Sequence, residues 1–132
     1  MFRYNSYHKV ITAFIFIGWA IFHFTKKNPD NLYFENGQII REGKTENSLN
    51  HGTWTWYYED GQILIQGEFK KGNREGVWRR YDQDGNLVSE SIYKNNKLNG
   101  ELIIYEPGNI PKEKHYYQDG KLLKKEITPS FK

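Results

Sequence analysis

Five columns of residues recur every 24 positions along this chain, all in one register. Gly52, Gly76 and Gly100 form one column, Trp54, Trp78 and Leu102 the next, and Tyr33, Tyr57, Tyr81 and Tyr105 a third. Gly37, Gly61 and Gly85 keep the same step, as do Phe69, Tyr93 and Tyr117. A fixed period of this length is the signature of a repeat architecture, in which each unit buries its apolar surface against its neighbours. Within a unit, Gly-x-Trp-x-x-Tyr runs into Glu59-Asp60-Gly61, and Asp-Gly is a hairpin signal because glycine accepts φ > 0. Ile63, Ile65, Gly67 and Phe69 then alternate with period 2, as do Leu87, Ser89, Ser91 and Tyr93. Polar turns (Lys71–Arg74 and Asn95–Leu98) lead into the next glycine. Two strands and two turns per unit predict an all-β fold, a single-layer antiparallel meander of stacked β-hairpins.

The last unit carries Pro107-Gly108 at its turn, is one residue short there, and regains register by Tyr117. Terminal repeats are commonly atypical, and a bulge absorbs such a slip. Parity raises a question about the rings. Trp54 and Tyr57 are three apart, so an ideal strand sends them to opposite faces unless a bulge intervenes. Aromatics make up 17% of a chain whose mean hydropathy is −0.85, so rings are buried strip by strip rather than in a thick core. One open sheet hides them all only if it twists strongly or packs on something else. The Trp and Tyr columns therefore read either as cross-strand stacks or as recognition residues.

Val10–Phe24 is a run of 15 mostly apolar residues, preceded by Arg3 and Lys9 and followed by Lys26 and Lys27. As a helix it spans roughly 22 Å, short of a hydrocarbon core of about 30 Å. Snorkelling Lys9 and Lys26, with Tyr7 and Trp19 near the interfaces, closes part of that gap. No small-x-small cleavage site follows the run, and it is apolar on all sides rather than amphipathic. These features favour an N-terminal transmembrane or signal-anchor helix over a cleaved signal or a soluble core helix. The expected organisation is a tail (1–9), the anchor (10–24), a linker (25–31), a capping half-repeat (32–51), three repeats (52–123) and a C-terminal tail (124–132). A short tail ahead of a signal anchor places the repeats outside the cytoplasm, although the flanking lysines pull both ways.

Reactive chemistry is sparse. The chain has no cysteine, hence no disulfide framework and no thiolate. His8, His23, His51 and His115 lack a second ligand at metal spacing. Asp82-x-Asp84-Gly85 resembles the start of a calcium loop, but the glycine comes too early and the bidentate Glu is missing, so it reads as a hairpin turn. Glu59-Asp60, Asp82, Asp84 and Glu106 lie beside turns, where carboxylates stay solvated and unfit for acid–base work. No enzyme and no cofactor is expected. Arg74, Arg79 and Arg80, with Lys70 and Lys71, are interleaved with Glu68, Glu75, Asp82 and Asp84. That mixture reads as a solvated face, not a nucleic-acid groove.

Gly67-Glu68-Phe69-Lys70-x-Gly72-x-x-x-Gly76 resembles the core of MORN repeats, and the longer Gly-x-Trp-x-x-Tyr-x-x-x-Gly unit resembles the bacterial MORN-variant class. The resemblance covers about residues 32–123. Asn96 departs from it at the turn glycine, Leu102 at the tryptophan and Thr45 at the Phe69 column. It implies an elongated, twisted sheet of β-hairpins and an association with antitoxin or immunity proteins. The expected function is a membrane-anchored, non-catalytic protein-binding module that neutralises a toxin, in a bacterial cell envelope. The expected contacts are Trp54, Trp56, Tyr57, Trp78 and Tyr81. The alternative is a structural envelope module or a phospholipid-binding scaffold.

Overall fold

A computed structural model describes residues 31–128 and, apart from them, Ile17. The expected anchor helix over residues 10–24 therefore lies outside the described residues, together with the tail at 1–9 and nearly all of the linker. Among the described residues, no helix is long and apolar enough to cross a membrane.

Two kinds of turn alternate along the chain and set its topology. Asn47-Ser48, Lys71-Gly72, Asn95-Asn96 and Asp119-Gly120 are two-residue turns in which both residues have positive φ, for example 50° and 80° at Lys71 and Gly72. A type I′ turn requires that geometry, and it matches the right-handed twist of the strands it joins. Asp60-Gly61 and Asp84-Gly85 sit instead in wider loops. Tyr58 N–H donates to Gln62 O, Gly61 N–H donates back to Tyr58 O, and Gly61 takes the left-handed position at φ 89°. Asp60 Oδ1 accepts the Gln62 N–H at 3.0 Å. Phe34–Gln38 and Asp82–Asn86 close the same way. The expected hairpins form at the expected places, but the tight turn and the Asp-Gly loop exchange roles.

The result is nine strands: β1 Leu32–Tyr33, β2 Ile39–Glu46, β3 Leu49–Tyr57, β4 Ile63–Lys70, β5 Asn73–Tyr81, β6 Leu87–Lys94, β7 Lys97–Glu106, β8 Ile110–Gln118 and β9 Lys121–Ile127. They form one sheet in strict chain order, each pair antiparallel. The all-β meander is thus the observed fold of this region. One boundary differs. Lys124–Ile127, expected in the C-terminal tail, belong to β9 and pair with β8 through Glu113↔Ile127 and Lys114↔Glu126. Their period is weak because Leu122 and Leu123 are adjacent apolar residues, which masks the alternation.

Register divides the strands into two faces. Across one run Trp54 and Trp56, then Ile65 and Phe69, then Arg74, Trp78 and Arg80, then Ser89, Ser91 and Tyr93. This is the aromatic face. The other carries Thr55, Gln66, Arg79 and Glu90, joined by hydrogen bonds between Gln66 and Thr55 and between Arg79 and Glu90. Among the described residues the buried apolar core consists of two rings, Trp54 at 2% exposure and Trp78 at 5%.

Candidate functional site

Each buried tryptophan lies over a glycine of the preceding strand. A Cβ built on Gly43 would stand 2.2 Å from the Trp54 ring, and one on Gly67 would stand 2.2 Å from the Trp78 ring. The ladder is irregular at both glycines, between Glu42 and Lys44 and between Gln66 and Glu68. This bulge lets the indole fold flat onto bare backbone. The indole N–H then reaches the carbonyl just beyond the glycine. Trp54 Nε1 donates to Lys44 O at 3.1 Å and Trp78 Nε1 to Glu68 O at 3.2 Å. A buried N–H needs such a partner, and this explains why the column uses Trp rather than Phe.

The next unit shows the complement. Ser91 stands 24 residues after Gly67, and the residue paired with it across β6 and β7 is Leu102, not tryptophan. A serine Cβ leaves no room for a flat indole, so the smaller leucine takes the place. Gly43, Gly67, Ser91 and His115 fall on a sixth 24-residue column, of which Gly43 and Gly67 seat an indole. A search for small residues at the 24-residue step would have found its first three members.

From these seats a ring ladder runs across the face. Trp54 and Trp56 have centroids 5.8 Å apart, and Trp56 and Trp78 5.7 Å. Phe69 meets Trp78 edge-on at 5.1 Å and 87°, and Tyr93 meets Trp78 at 6.0 Å and 70°. These are favourable edge-to-face geometries. Arginines lie on the rings. The Arg41 guanidinium is 5.7 Å from the Trp54 ring, and that of Arg74 is 4.1 Å from Tyr93 and 5.9 Å from Trp78.

The five expected contact residues do not share one surface. Trp54 and Trp78 are buried, which corrects the expectation that their rings meet a partner: they are occupied by glycine seats, carbonyls and neighbouring rings. Trp56 is half-buried on the same face. Tyr57 lies across the sheet, where its hydroxyl bonds Glu42 Oε1, and Tyr81 holds the equivalent position one unit on. Trp54 and Tyr57 are thus on opposite faces as parity required. Burial, followed by the Glu42 hydrogen bond and charge, pushes the Tyr57 phenol up to about 12.

That shift has a definite sign. The phenol stays neutral in the fold where an unfolded tyrosine has begun to ionise, near pH 10. Its contribution to stability is complete below that pH and is lost as pH rises towards 12. The Tyr105 and Tyr116 phenols are also raised, so phenolate absorbance should show a late-ionising set that loses one member in Tyr57→Phe, and in Glu42→Gln one member should titrate earlier. An unchanged titration in both variants would rule out this pairing.

Alternation also sorts the charges. Between β2 and β6 the aromatic face carries Arg41, Arg74 and Arg80 and no carboxylate, whereas Glu42, Glu68 and Glu90 lie on the other. The charge-mixed surface read from the sequence resolves into a basic aromatic face and an acid-rich back. Arg79 and Arg80 show the division: Arg79 pairs with Glu90 at 2.7 Å, while its neighbour faces the rings. Asp82 and Glu113 are committed locally. Asp82 accepts from the backbone and side chain of Asn86 and from Asp84 N–H, which holds its pKa below the usual range. Lys125 and then His115 do the same for Glu113. Among the described residues no three His, Cys, Asp or Glu side chains gather as a metal site would require.

A one-layer meander of two-strand units, two of them with an indole on a glycine seat, defines a β-repeat scaffold with a single decorated face. Residues 50–71, 74–95 and 112–127 match the MORN repeat variant family. Repeats of this kind commonly serve as protein- or membrane-binding modules. A search of curated proteins finds no match to the chain.

Proposed function

We propose that the chain is a non-catalytic binding protein whose aromatic face covers a partner protein, and that the partner is a toxin neutralised by an antitoxin or immunity factor. The supporting observation is the basic, carboxylate-free aromatic face of β2 to β6, with Trp56, Phe69 and Tyr93 half-exposed among Arg41, Arg74 and Arg80. Aromatic and arginine side chains dominate the energetics of protein interfaces. Nothing on the face has the geometry of a reacting group, so inhibition is steric, with the rim arginines guiding association. The apolar run at 10–24 anchors the repeats to the membrane, outside the cytoplasm.

Co-expression with the protein encoded next to this chain should restore growth, and the two should co-purify. Trp56→Ala should weaken the complex by about tenfold or more, as loss of a half-exposed aromatic anchor does, while leaving the fold intact. Absence of any complex with a neighbour-encoded protein would count against the reading. The alternative, a scaffold on anionic headgroups, instead requires vesicle binding that fades at high salt.

A further inference from the structure

The ring ladder breaks at β6, and the break leaves a recess of about 190 Å³ on the aromatic face. Ser89 and Ser91 line it with hydroxyls, Trp78 and Leu102 line it with apolar surface, and the basic residues Arg74, Arg79 and Arg80 also line it. Resting on the proposed partner-binding role, we infer that this recess receives an acidic segment of the partner protein, with Arg80 as the group that selects a carboxylate.

Three observations carry this. First, the recess is specific to one unit. The positions 24 residues earlier are Ile65 and Gly67, the second filled by an indole, whereas here two serines and Leu102 leave space and supply hydroxyls. Ser91 Oγ donates to Trp78 O at 3.5 Å, a long and weak bond that an incoming acceptor can displace.

Second, Arg74 and Arg80 have no carboxylate partner among the described residues, whereas Arg79, which also lines the recess, is paired with Glu90 at 2.7 Å. Arg74 uses Nε on Asn96 Oδ1 at 2.8 Å and stacks on Tyr93, which fixes the guanidinium while leaving its terminal nitrogens for another group. Arg80 pairs across the sheet with Ile65 and Ser89, neither of them acidic.

Third, the chemistry matches an acidic side chain better than a bilayer. A carboxylate at Arg80 and Ser89 would set its aliphatic stem against Leu102 and Trp78, which a recess allows. Headgroups meet protruding basic side chains on a broad front, and the adjacent Arg79 points to the opposite face. Guanidinium–carboxylate pairing also gives the geometric selectivity that a hydrated lysine lacks.

The test uses the full chain in detergent and fluorescein-labelled hexaglutamate, with hexaglutamine as control, read by anisotropy. Hexaglutamate should bind and hexaglutamine should not. Arg80→Gln should weaken binding by roughly tenfold or more, the usual cost of losing a charged hydrogen bond. Arg79→Gln makes the same change in charge at a neighbouring residue whose guanidinium is already committed to Glu90 across the sheet, and should leave binding within about twofold. Ser89→Ile restores the isoleucine of the preceding unit, closes the recess and should also abolish binding. Unchanged thermal melting of Arg80→Gln and Arg79→Gln shows that the fold is intact.

Equal loss in Arg79→Gln and Arg80→Gln would reduce the effect to net charge and overturn the inference. So would failure of hexaglutamate to bind, or Arg80-dependent binding to phosphatidylglycerol vesicles without peptide binding. The partner reading is judged separately: a neighbour-encoded protein that co-purifies equally with Arg80→Gln preserves that reading and removes this one. Arg80-dependent peptide binding without such a complex does the reverse.

Discussion

Gly67→Ser destabilises the sheet by about 3 kcal/mol, the upper part of the range for overpacking a filled site. Trp78→Leu in the same chain should add almost nothing further to that loss. The added Cβ at Gly67 would lie 2.2 Å from the centre of the indole, and the ring has no route away. It is buried at 5% exposure, tied by its N–H to Glu68 O, and flanked by Phe69 and Tyr93. The protein already contains the compensated pair one unit later, in Ser91 and Leu102. Trp78→Leu alone removes buried surface from an intact glycine seat and should cost about 2 kcal/mol. The double variant then rebuilds a known arrangement. Urea unfolding of the four proteins should give a favourable coupling of about 2 kcal/mol. Strictly additive losses would show that seat and ring are not one packing unit.

Trp78→Ala should be the most damaging single side-chain truncation, at about 3–5 kcal/mol. The indole touches rings on three strands, Trp56 on β3, Phe69 on β4 and Tyr93 on β6, so its removal opens the ladder at its centre. It also leaves Glu68 O without its donor. The spatial pattern of the loss tests the architecture. Every substantial packing interface joins consecutive strands, so the damage has no second layer through which to spread. Amide exchange should accelerate in β4, β5 and β6 and remain slow at the β7–β8 pairing, which has its own contacts. Uniform loss of protection across all nine strands would mean that the sheet behaves as one cooperative block. Trp56→Ala, at a half-exposed position, should cost clearly less.

The period carried most of the fold because its columns are backbone necessities. Gly61 and Gly72 occupy left-handed turn positions, and alternation from Ile63 to Phe69 assigns the faces. Other features were hidden for physical reasons. Gly43 and Gly67 look like ordinary strand glycines until the ring that lies on them is located, since the contact crosses two strands. The charges of Arg79, Arg80, Glu68 and Glu75 average out along the chain but separate through the sheet, because neighbouring side chains point to opposite sides. Trp54 and Trp78 were expected at a partner surface because a tryptophan column fits both a stack and an interface. Only burial distinguishes the two. Tyr57 was joined to them by spacing alone, and its bond to Glu42 places it across the sheet.

Strict chain order also makes the protein a ruler. Neighbouring strands are about 4.8 Å apart, so each two-strand unit advances the aromatic face by roughly 10 Å. Corresponding side chains, such as Trp54 and Trp78, are graduations at that interval. Length is set by counting units, and no contact elsewhere has to be renegotiated when one is inserted or removed. A duplication or deletion of 24 residues would lengthen or shorten the face by one graduation. The dimension of whatever lies along it could then change in a single genetic step, with every local seat, ring and turn left as it was.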